Sequence, residues 1–220
     1  MNILSIDTAG PVISVAWASK HGVRQVENRL VRNADAWLVP QVADMLQKHP
    51  IDGVAVTIGP GAFTSLRVGV AIALGIAEAR QVPVYPVSSL LARAALIANP
   101  RTLVLLDARK SRVYAQLFDS STTIPQPLSE AVDASLESVL PTAPFIAIGE
   151  GAAVYRSSIP KHGLVANGAD RGGALAAAHL VRQGAVEALD AAAVQLYYIR
   201  PPDAVPPKSL GIPLGIPAGG

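Results

Sequence analysis

The stretch from Ile58 to Val70 constrains the fold of this chain most, because it joins a short strand to a long helix through one tight turn. The apolar run from Gly53 to Ile58 is rich in β-branched residues, as a buried strand should be. Gly59-Pro60-Gly61 cannot continue that strand, since proline fixes φ and lacks a donor. We predict a helix over about Ser65 to Arg80, with Thr64 or Ser65 as its cap.

This predicted helix has no polar side. Arg67 is the only charge between Leu66 and Ala77. A helix that is apolar all round must be covered all round, whereas one open sheet covers only one side. Gly69, Ala73 and Ala77 recur every four residues and form a smooth stripe that a second helix can approach. The apolar run is too short to span a bilayer. The spacing leaves two readings open, a partner-binding helix and a central core helix.

Composition excludes several classes of function. The 220 residues are half hydrophobic, enough for one large or two small domains. With 18 Lys and Arg against 16 Asp and Glu, the chain has no strongly basic face and binds phosphate poorly by itself. Zero cysteine excludes disulfides, thiolate metal sites and cysteine nucleophiles. The N-terminus begins with a strand and lacks the basic start of a signal peptide, so we expect a cytoplasmic protein.

The first 99 residues follow an α/β pattern of strand, hairpin, helix, strand, helix and strand. Besides the strand described above, we predict strands at Ile3 to Ile6, Val12 to Ala18, Val23 to Val31 and Pro83 to Val87. We also predict two more helices. One runs from Asn33 or Asp35 to Lys48, and the other runs from Leu90 to Ala98 after a Ser88-Ser89 cap.

After a break at Asn99-Pro100, Leu103 to Leu117 repeats the opening plan of strand, aspartate, polar turn and strand, with Asp107 matching Asp7. This repetition predicts an internal duplication, with one lobe over residues 1–99 and a second over 100–200. After this unit we predict a polar link at Ser120 to Pro127, a helix at Ala134 to Leu140 and a strand at Phe145 to Ile148. A last helix is predicted at Ala174 to Gln183, with Asp170 as its cap. Residues 201–220 are rich in proline and glycine and predict a flexible tail.

Catalytic motifs are scarce. The four histidines are widely spaced, and no nucleophile elbow, Walker loop or dinucleotide fingerprint follows a strand. Asp7-Thr8 at the end of the first strand could hold phosphate or metal, but an aspartate that bonds its own turn amides is the favoured interpretation. The Arg67 guanidinium lies in apolar surroundings and needs a partner. That partner is either the carboxylate or phosphate of a ligand, or a residue of the same fold, and we slightly prefer the second interpretation. Asp7, Thr8 and Arg67 are the weak cofactor-binding candidates.

Several segments together resemble one family. Ile58 to Gly69, with Ile6-Asp7-Thr8 before it and Pro86 to Leu90 and Leu106 to Arg109 after it, is similar to the TsaB (YeaZ) family. The resemblance covers about the first 120 residues, and Tyr198-Ile199-Arg200 matches a late signature. Two positions differ from the family pattern: Ala62 is usually serine and Ser65 is usually glycine.

The resemblance implies a duplicated actin-like ATPase (ASKHA, ribonuclease H-like) fold with two small α/β lobes. It also implies a non-catalytic partner of TsaD, in the complex that transfers a threonylcarbamoyl group to the adenosine next to the anticodon of tRNAs reading codons that start with A. TsaE would join the larger complex, which uses ATP and magnesium, while this chain would bind no metal and have no activity alone. Ser89 and Arg93 stand where TsaD carries a metal-binding histidine pair, and neither replaces a neutral imidazole.

We expect two helices to form the contact face for TsaD, or for a second copy of this chain when TsaD is absent. The predicted contact residues are Trp37, Leu38, Val42, Met45, Leu66, Gly69, Val70, Ala73, Leu74 and Ala77. A charged side chain at Ala73 should then abolish association and leave the monomer folded. Three alternatives remain open: an ATP-dependent small-molecule kinase of the same fold, a purely homodimeric structural protein, and a metallopeptidase, against which the missing metal pair argues. Direct contact with tRNA stays open as well.

Overall fold

The computed structural model describes residues 1–29 and 34–200, and its first sheet has five strands. These are β1 (Ile3–Asp7), β2 (Val12–Ala18), β3 (Val23–Arg29), β4 (Gly53–Gly59) and β5 (Val84–Ser88). They lie in the order β3-β2-β1-β4-β5, in which β1 to β3 form an antiparallel meander and β1, β4 and β5 are parallel. The short turns between β1 and β2 and between β2 and β3 allow antiparallel pairing, whereas the long helical connections before and after β4 make β1, β4 and β5 parallel.

The second sheet repeats that topology. Its strands are β6 (Thr102–Asp107), β7 (Val113–Asp119), β8 (Gln126–Pro127), β9 (Val132–Ala134), β10 (Phe145–Ile148) and β11 (Gly163–Val165). They lie in the order β11-β10-β6-β7-β8, with β9 also paired to β7, so the first strand is again central, antiparallel to β7 and parallel to β10, which takes the place of β4. The predicted duplicated fold is therefore confirmed.

Helices cover both faces of the first sheet. Helices α1 (Ala34–Lys48) and α2 (Phe63–Arg80) pack on the face to which Leu4 and Ile6 point. Helix α3 (Ser89–Ala94) and the last helix, α6 (Ala174–Arg182), lie on the opposite face with Ile3. Side chains alternate along a strand, so β1 serves both layers. In the part of the second lobe that the structure describes, the α-helices are α4 (Leu136–Val139) and α5 (Glu150–Val154), and both are short.

Helix α6 changes the predicted division of the chain at residue 99/100. Its sequence lies in the predicted second lobe, yet Ala177, Leu180 and Val181 pack into the core on the first sheet. The segment after it stays there, because the Tyr197 amide donates to the Ile58 carbonyl at 2.8 Å. The two sheets thus follow each other along the chain as predicted, but residues from about 173 to 197 return to the first lobe, before Arg200 pairs with Asp133 of the second.

Most predicted elements agree with the structure to within two residues, but the caps of α2 and α6 and the end of α3 do not. The structure begins α2 after Ala62, which makes no side-chain cap bond with a described residue, and begins α6 after Gly173, not after Asp170. The predicted helix at Leu90 to Ala98 ends at Ala94, whereas the one at Ala134 to Leu140 is observed as α4, with Ala134 itself in β9. The Ser88 cap is confirmed, since its hydroxyl accepts from the Leu91 amide.

Predictions for Asn33, for the end of the third strand at Leu30 and Val31, and for the tail at 201–220 lie outside the described residues. Across the described ranges, none of the helices has both the length and the apolar character needed for a bilayer crossing.

Candidate functional site

Asp7 lies at the carboxyl end of β1, where the two lobes meet, and is completely buried. Its Oδ1 accepts from the Thr57 hydroxyl at 2.7 Å and from the Ala9 amide at 3.1 Å. Its Oδ2 accepts from the Gly173 amide at 2.6 Å, just before α6. The favoured interpretation, an aspartate bonded within its own turn, is confirmed by the Ala9 contact, and the carboxylate also holds the start of α6 in place.

Arg93 supplies the charge that opposes Asp7. Its side chain is 1% exposed, and its Nη1 lies 2.6 Å from Asp7 Oδ2. This contact is an ion pair without the alignment of a hydrogen bond, since neither Nη1 nor Nε has a hydrogen-bond partner among the described residues. A Cβ at Gly173 would come within 2.4 Å of Nη1, so only glycine leaves room for the guanidinium. Arg93 therefore fills the space beside Asp7.

Glu150 brings a third charge into this centre from the second lobe. It follows Gly149, whose φ of +103° suits glycine, and it is the first residue of α5. A Cβ at Gly10 would meet its carboxylate at 3.2 Å. Burial raises the pKa of Glu150, Arg93 opposes that change, and Asp7 adds to it. We call Asp7, Arg93 and Glu150 the inter-lobe centre.

The inter-lobe centre is filled by the protein's own charged groups. The Asp7 carboxylate is occupied by three donors and Arg93, and the Glu150 carboxylate lies against the β1–β2 turn at Gly10. Thr8 is also buried and packs on Gly69 of α2. Within residues 1–29 and 34–200, no cluster of three His, Asp or Glu side chains could hold a metal ion. Both carboxylates are therefore buried among the described residues, and neither is exposed to solvent as a ligand would require.

Arg67, the remaining cofactor candidate, lies apart from the inter-lobe centre. It is exposed on α2, its guanidinium stacks 3.9 Å from the centre of the Phe63 ring, and its Nε donates to the Tyr198 hydroxyl at 3.3 Å. The slightly preferred prediction of a structural partner within the fold is confirmed, although that partner is aromatic and not a carboxylate.

The predicted contact face on α1 and α2 needs correction. Eight of its ten residues have their side chains in the chain's own core, where they leave no surface for another molecule: Leu38, Val42, Met45, Leu66, Gly69, Val70, Ala73 and Ala77. Trp37 and Leu74 are half-buried against the same core. The stripe of Gly69, Ala73 and Ala77 faces the sheet, so a charge at Ala73 should unfold the monomer.

A different face of the same helices is exposed. Val39 and Ala43 on α1, and Ala71 and Gly75 on α2, point outward, with Val68 and Ile72 half-buried beside them. Val39 is 51% exposed, and a Cβ at Gly75 would meet nothing within 4 Å. We call these six residues the outer helix face. Sequence spacing could not distinguish this face from the buried one, because α2 is apolar on both sides.

Sequence reasoning named Arg93, as one position of the missing histidine pair, but did not place it beside Asp7 and Glu150. A signal for Arg93 was present, since it is a lone charge in the apolar run Leu90 to Ala95. Ser89, the other position of the missing histidine pair, is fully buried, and within residues 1–29 and 34–200 its hydroxyl has no hydrogen-bond partner. Glu150 lies between two glycines, a pattern that also occurs in flexible loops, so its burial could not be predicted.

The repeated sheets and the inter-lobe centre define a protein of the duplicated actin-like (ASKHA, ribonuclease H-like) class. A family model described as "TsaD: tRNA N6-adenosine threonylcarbamoyltransferase" matches residues 32–161. Because that match covers more than half of the sequence, the chain belongs to this family, and it is a TsaB (YeaZ) type member of it.

Individual relatives agree with this assignment. An uncharacterised protein of Mycobacterium tuberculosis is 36% identical over 140 residues, which cover 60% of this chain and 66% of the relative. The tRNA threonylcarbamoyladenosine biosynthesis protein TsaB of Escherichia coli is 36% identical over 123 residues, 52% of this chain and 53% of its own. The match thus spans between half and two thirds of these relatives. YeaZ of Pseudomonas aeruginosa shares the fold, with a TM-score of 0.80 over 90% of this chain and 99% of that one at 23% identity.

Proposed function

We propose that this chain is a non-catalytic partner of TsaD in the synthesis of threonylcarbamoyladenosine, beside the anticodon of tRNAs that read codons starting with A. The observation that carries the proposal is the outer helix face, an uncharged surface on two neighbouring helices of a member of this family. TsaD or a second copy of this chain would cover that face, with TsaE joining the larger complex.

The chemistry of the outer helix face supports a helical partner of the same fold. Ala71 and Gly75 lie one turn apart and carry little or no side chain, so a second helix can approach the α2 backbone closely. Val39, Val68 and Ile72 add apolar surface to this face, and the exposed charges of Arg67 and Glu78 lie one helical turn beyond Ala71 and Gly75. A protein of the same fold has equivalent helices to pack against these, and apolar pairing of this kind is typical of stable interfaces.

The inter-lobe centre supports the non-catalytic part of the proposal. Arg93 is paired with Asp7, and the Glu150 carboxylate lies against the turn at Gly10 where an anionic ligand would have to approach. ATP and magnesium would then be used elsewhere in the complex. The chain's contribution would be to bind TsaD and hold it in the active arrangement.

The experiment that tests this proposal is the Gly75→Glu variant mixed with TsaD. The substitution suits the free monomer, because a Cβ at Gly75 meets open space and glycine is a poor helix former. On the outer helix face, however, it places a charge in an apolar contact. We expect light scattering to show a one-to-one complex for the wild-type chain and none for Gly75→Glu at the same concentration, with transfer to tRNA lost in parallel.

Gly22→Glu is the matched control, since Gly22 also faces open space but lies in the β2–β3 turn. It should bind TsaD like the wild-type chain. A Gly75→Glu chain that still forms the complex would show that the outer helix face is not the contact surface. A wild-type chain that neither binds TsaD nor supports transfer would refute the proposed function itself.

A further inference from the structure

A cavity lies between helix α6 and the edge strand β3, on the opposite side of the first sheet from the outer helix face. Its walls come from α6 and the two residues before it, from Gln25 of β3, from residues 95 and 96 after α3, and from Thr123 in the link before β8. Its volume is about 320 Å³, which falls within the range of small-molecule sites in proteins. We call it the α6 cavity.

One wall of the α6 cavity is apolar. It is lined by Leu175, Ala176 and Leu180 of α6 and by Ala95 and Leu96 beyond α3. Ala176 and Leu180 are buried, whereas Leu175 and Leu96 are half-buried. A ligand with an apolar or aromatic body can therefore pack on this wall and remove both surfaces from water.

Neutral polar groups line much of the remainder of the α6 cavity. Gln25 and Gln183 supply carboxamides, Thr123 supplies a hydroxyl and His179 supplies an imidazole. Burial lowers the pKa of His179 and Arg182 lowers it further, so the imidazole is neutral at neutral pH. These groups can orient a ligand through hydrogen bonds, but they add no charge.

Arg171 brings positive charge to the α6 cavity. The Arg171 amide donates to the Gly168 carbonyl at 3.1 Å, and the stem of the side chain lies over Gly168, where a Cβ would come within 2.8 Å of Cδ. This glycine turn therefore leaves room for the arginine and sets its position. The neighbouring Asp170 is paired with Arg29, whereas Arg171 has no carboxylate partner among residues 1–29 and 34–200.

The carboxylate nearest to these walls is already engaged. Glu27 Oε2 accepts from the Gln25 carboxamide at 2.9 Å and from the Gly172 amide at 3.2 Å. None of the described residues that line the cavity is an aspartate or a glutamate. An anion that enters the cavity would thus meet Arg171 without repulsion from a lining carboxylate.

We propose that the α6 cavity binds a small organic acid, whose carboxylate pairs with Arg171 and whose apolar body packs on Leu175 and Leu180. A planar guanidinium can form two parallel hydrogen bonds with a carboxylate. One cation among neutral donors balances one negative charge, which fits a monocarboxylate better than a doubly charged phosphate. Because the cavity and the outer helix face lie on opposite sides of the first sheet, this inference does not depend on the proposed function.

The test follows the backbone amide signals of the full chain by NMR as small carboxylates are added. The probes are indole-3-acetate, 3-phenylpropionate and 4-methylpentanoate, each compared with its own primary amide. We expect saturable shifts at the amides of Gly172, Leu175 and His179, with each primary amide binding about tenfold more weakly than its acid. Arg171→Gln should remove that difference and leave the affinity for the primary amides within about twofold.

Two further variants separate the charge from the cavity itself. Arg156→Gln removes an exposed arginine of the second lobe and should bind the acids like the wild type. Thr123→Phe places a ring at an exposed edge of the cavity and should weaken acids and primary amides alike. Unchanged melting temperatures would show that the variants remain folded.

Three results would overturn the inference. In the first, none of the three acids produces saturable shifts at the cavity amides. In the second, Arg171→Gln binds the acids as tightly as the wild type does. In the third, phenyl phosphate binds at the cavity more tightly than the acids, which would assign the site to phosphates and not to carboxylates.

Discussion

Glu150 packs its carboxylate against Gly10, in surroundings where burial raises its pKa above the ordinary 4.5. The folded state therefore holds the proton more tightly than the unfolded chain does. It follows that this group favours folding most below about pH 4.5 and that its contribution is lost as the pH rises through the raised pKa of the folded state. At neutral pH the charged form is a cost that Arg93 offsets only in part.

We predict that Glu150→Gln stabilises the protein at pH 7, on the order of 1 kcal/mol, because the neutral amide keeps the shape of the side chain and removes the buried charge. The gain should shrink as the pH falls toward 4.5, where the wild-type carboxyl is protonated. Urea unfolding of both proteins at several pH values measures this difference. Glu137→Gln, on an exposed carboxylate of α4, should follow the wild type throughout. A gain that is equal at every pH would contradict the assignment.

At the level of elements, the docking of α6 depends on side chains from the other end of the chain. Its first amides are bonded by the first sheet: Gly172 to Glu27 Oε2 at 3.2 Å, Gly173 to Asp7 and Ala174 to the Ser14 hydroxyl at 3.1 Å. These contacts replace the local cap that the sequence lacks, since the helix makes no side-chain cap bond of its own. Because residues near the N-terminus accept hydrogen bonds from the start of α6, this late helix is held in the first lobe.

We predict that Ser14→Ala lowers the free energy of unfolding by about 1 to 2 kcal/mol, because it leaves the buried Ala174 amide without an acceptor. Hydrogen exchange at Ala174 should accelerate along with the loss measured in urea. Ser138→Ala removes an exposed hydroxyl bonded within α4 and should change stability by less than about 0.5 kcal/mol. Unchanged exchange at Ala174 in the Ser14 variant would mean that α6 is held by its apolar face alone.

The same helix marks how far the sequence could predict this fold. Strand pattern and the repeated aspartate predicted both sheets and their duplication, because alternating burial and turn chemistry are local properties. Where α6 packs is not local: its apolar face fits either sheet, and only the contacts of Glu27, Asp7 and Ser14 with its start select the first. The two sides of α2 are also indistinguishable by sequence, because both are apolar. The predicted contact face was therefore placed on the side that packs in the core.

At the scale of the whole molecule, several contacts among the described residues connect the two lobes. Glu150 of the second lobe lies against Gly10 of the first, and α3 packs on the second sheet as well as on the first. The chain segment before residue 200 joins both lobes as well, since Tyr197 bonds to Ile58 while Arg200 is paired with Asp133. A kinase of this fold would have to open and close around its nucleotide. The fastened lobes favour a rigid binding partner over that alternative.

We therefore predict that the isolated chain keeps its shape when Mg-ATP is added and that it does not hydrolyse the ATP. Small-angle X-ray scattering should give the same radius of gyration with and without Mg-ATP, because Arg93 and Glu150 fill the inter-lobe centre with charges that a nucleotide would have to displace. Phosphate release should equal that of a heat-inactivated sample. Magnesium without ATP controls for effects of the ion alone. Turnover of many ATP molecules per chain, or a compaction that requires ATP, would instead favour the kinase and make Asp7 the first residue to substitute.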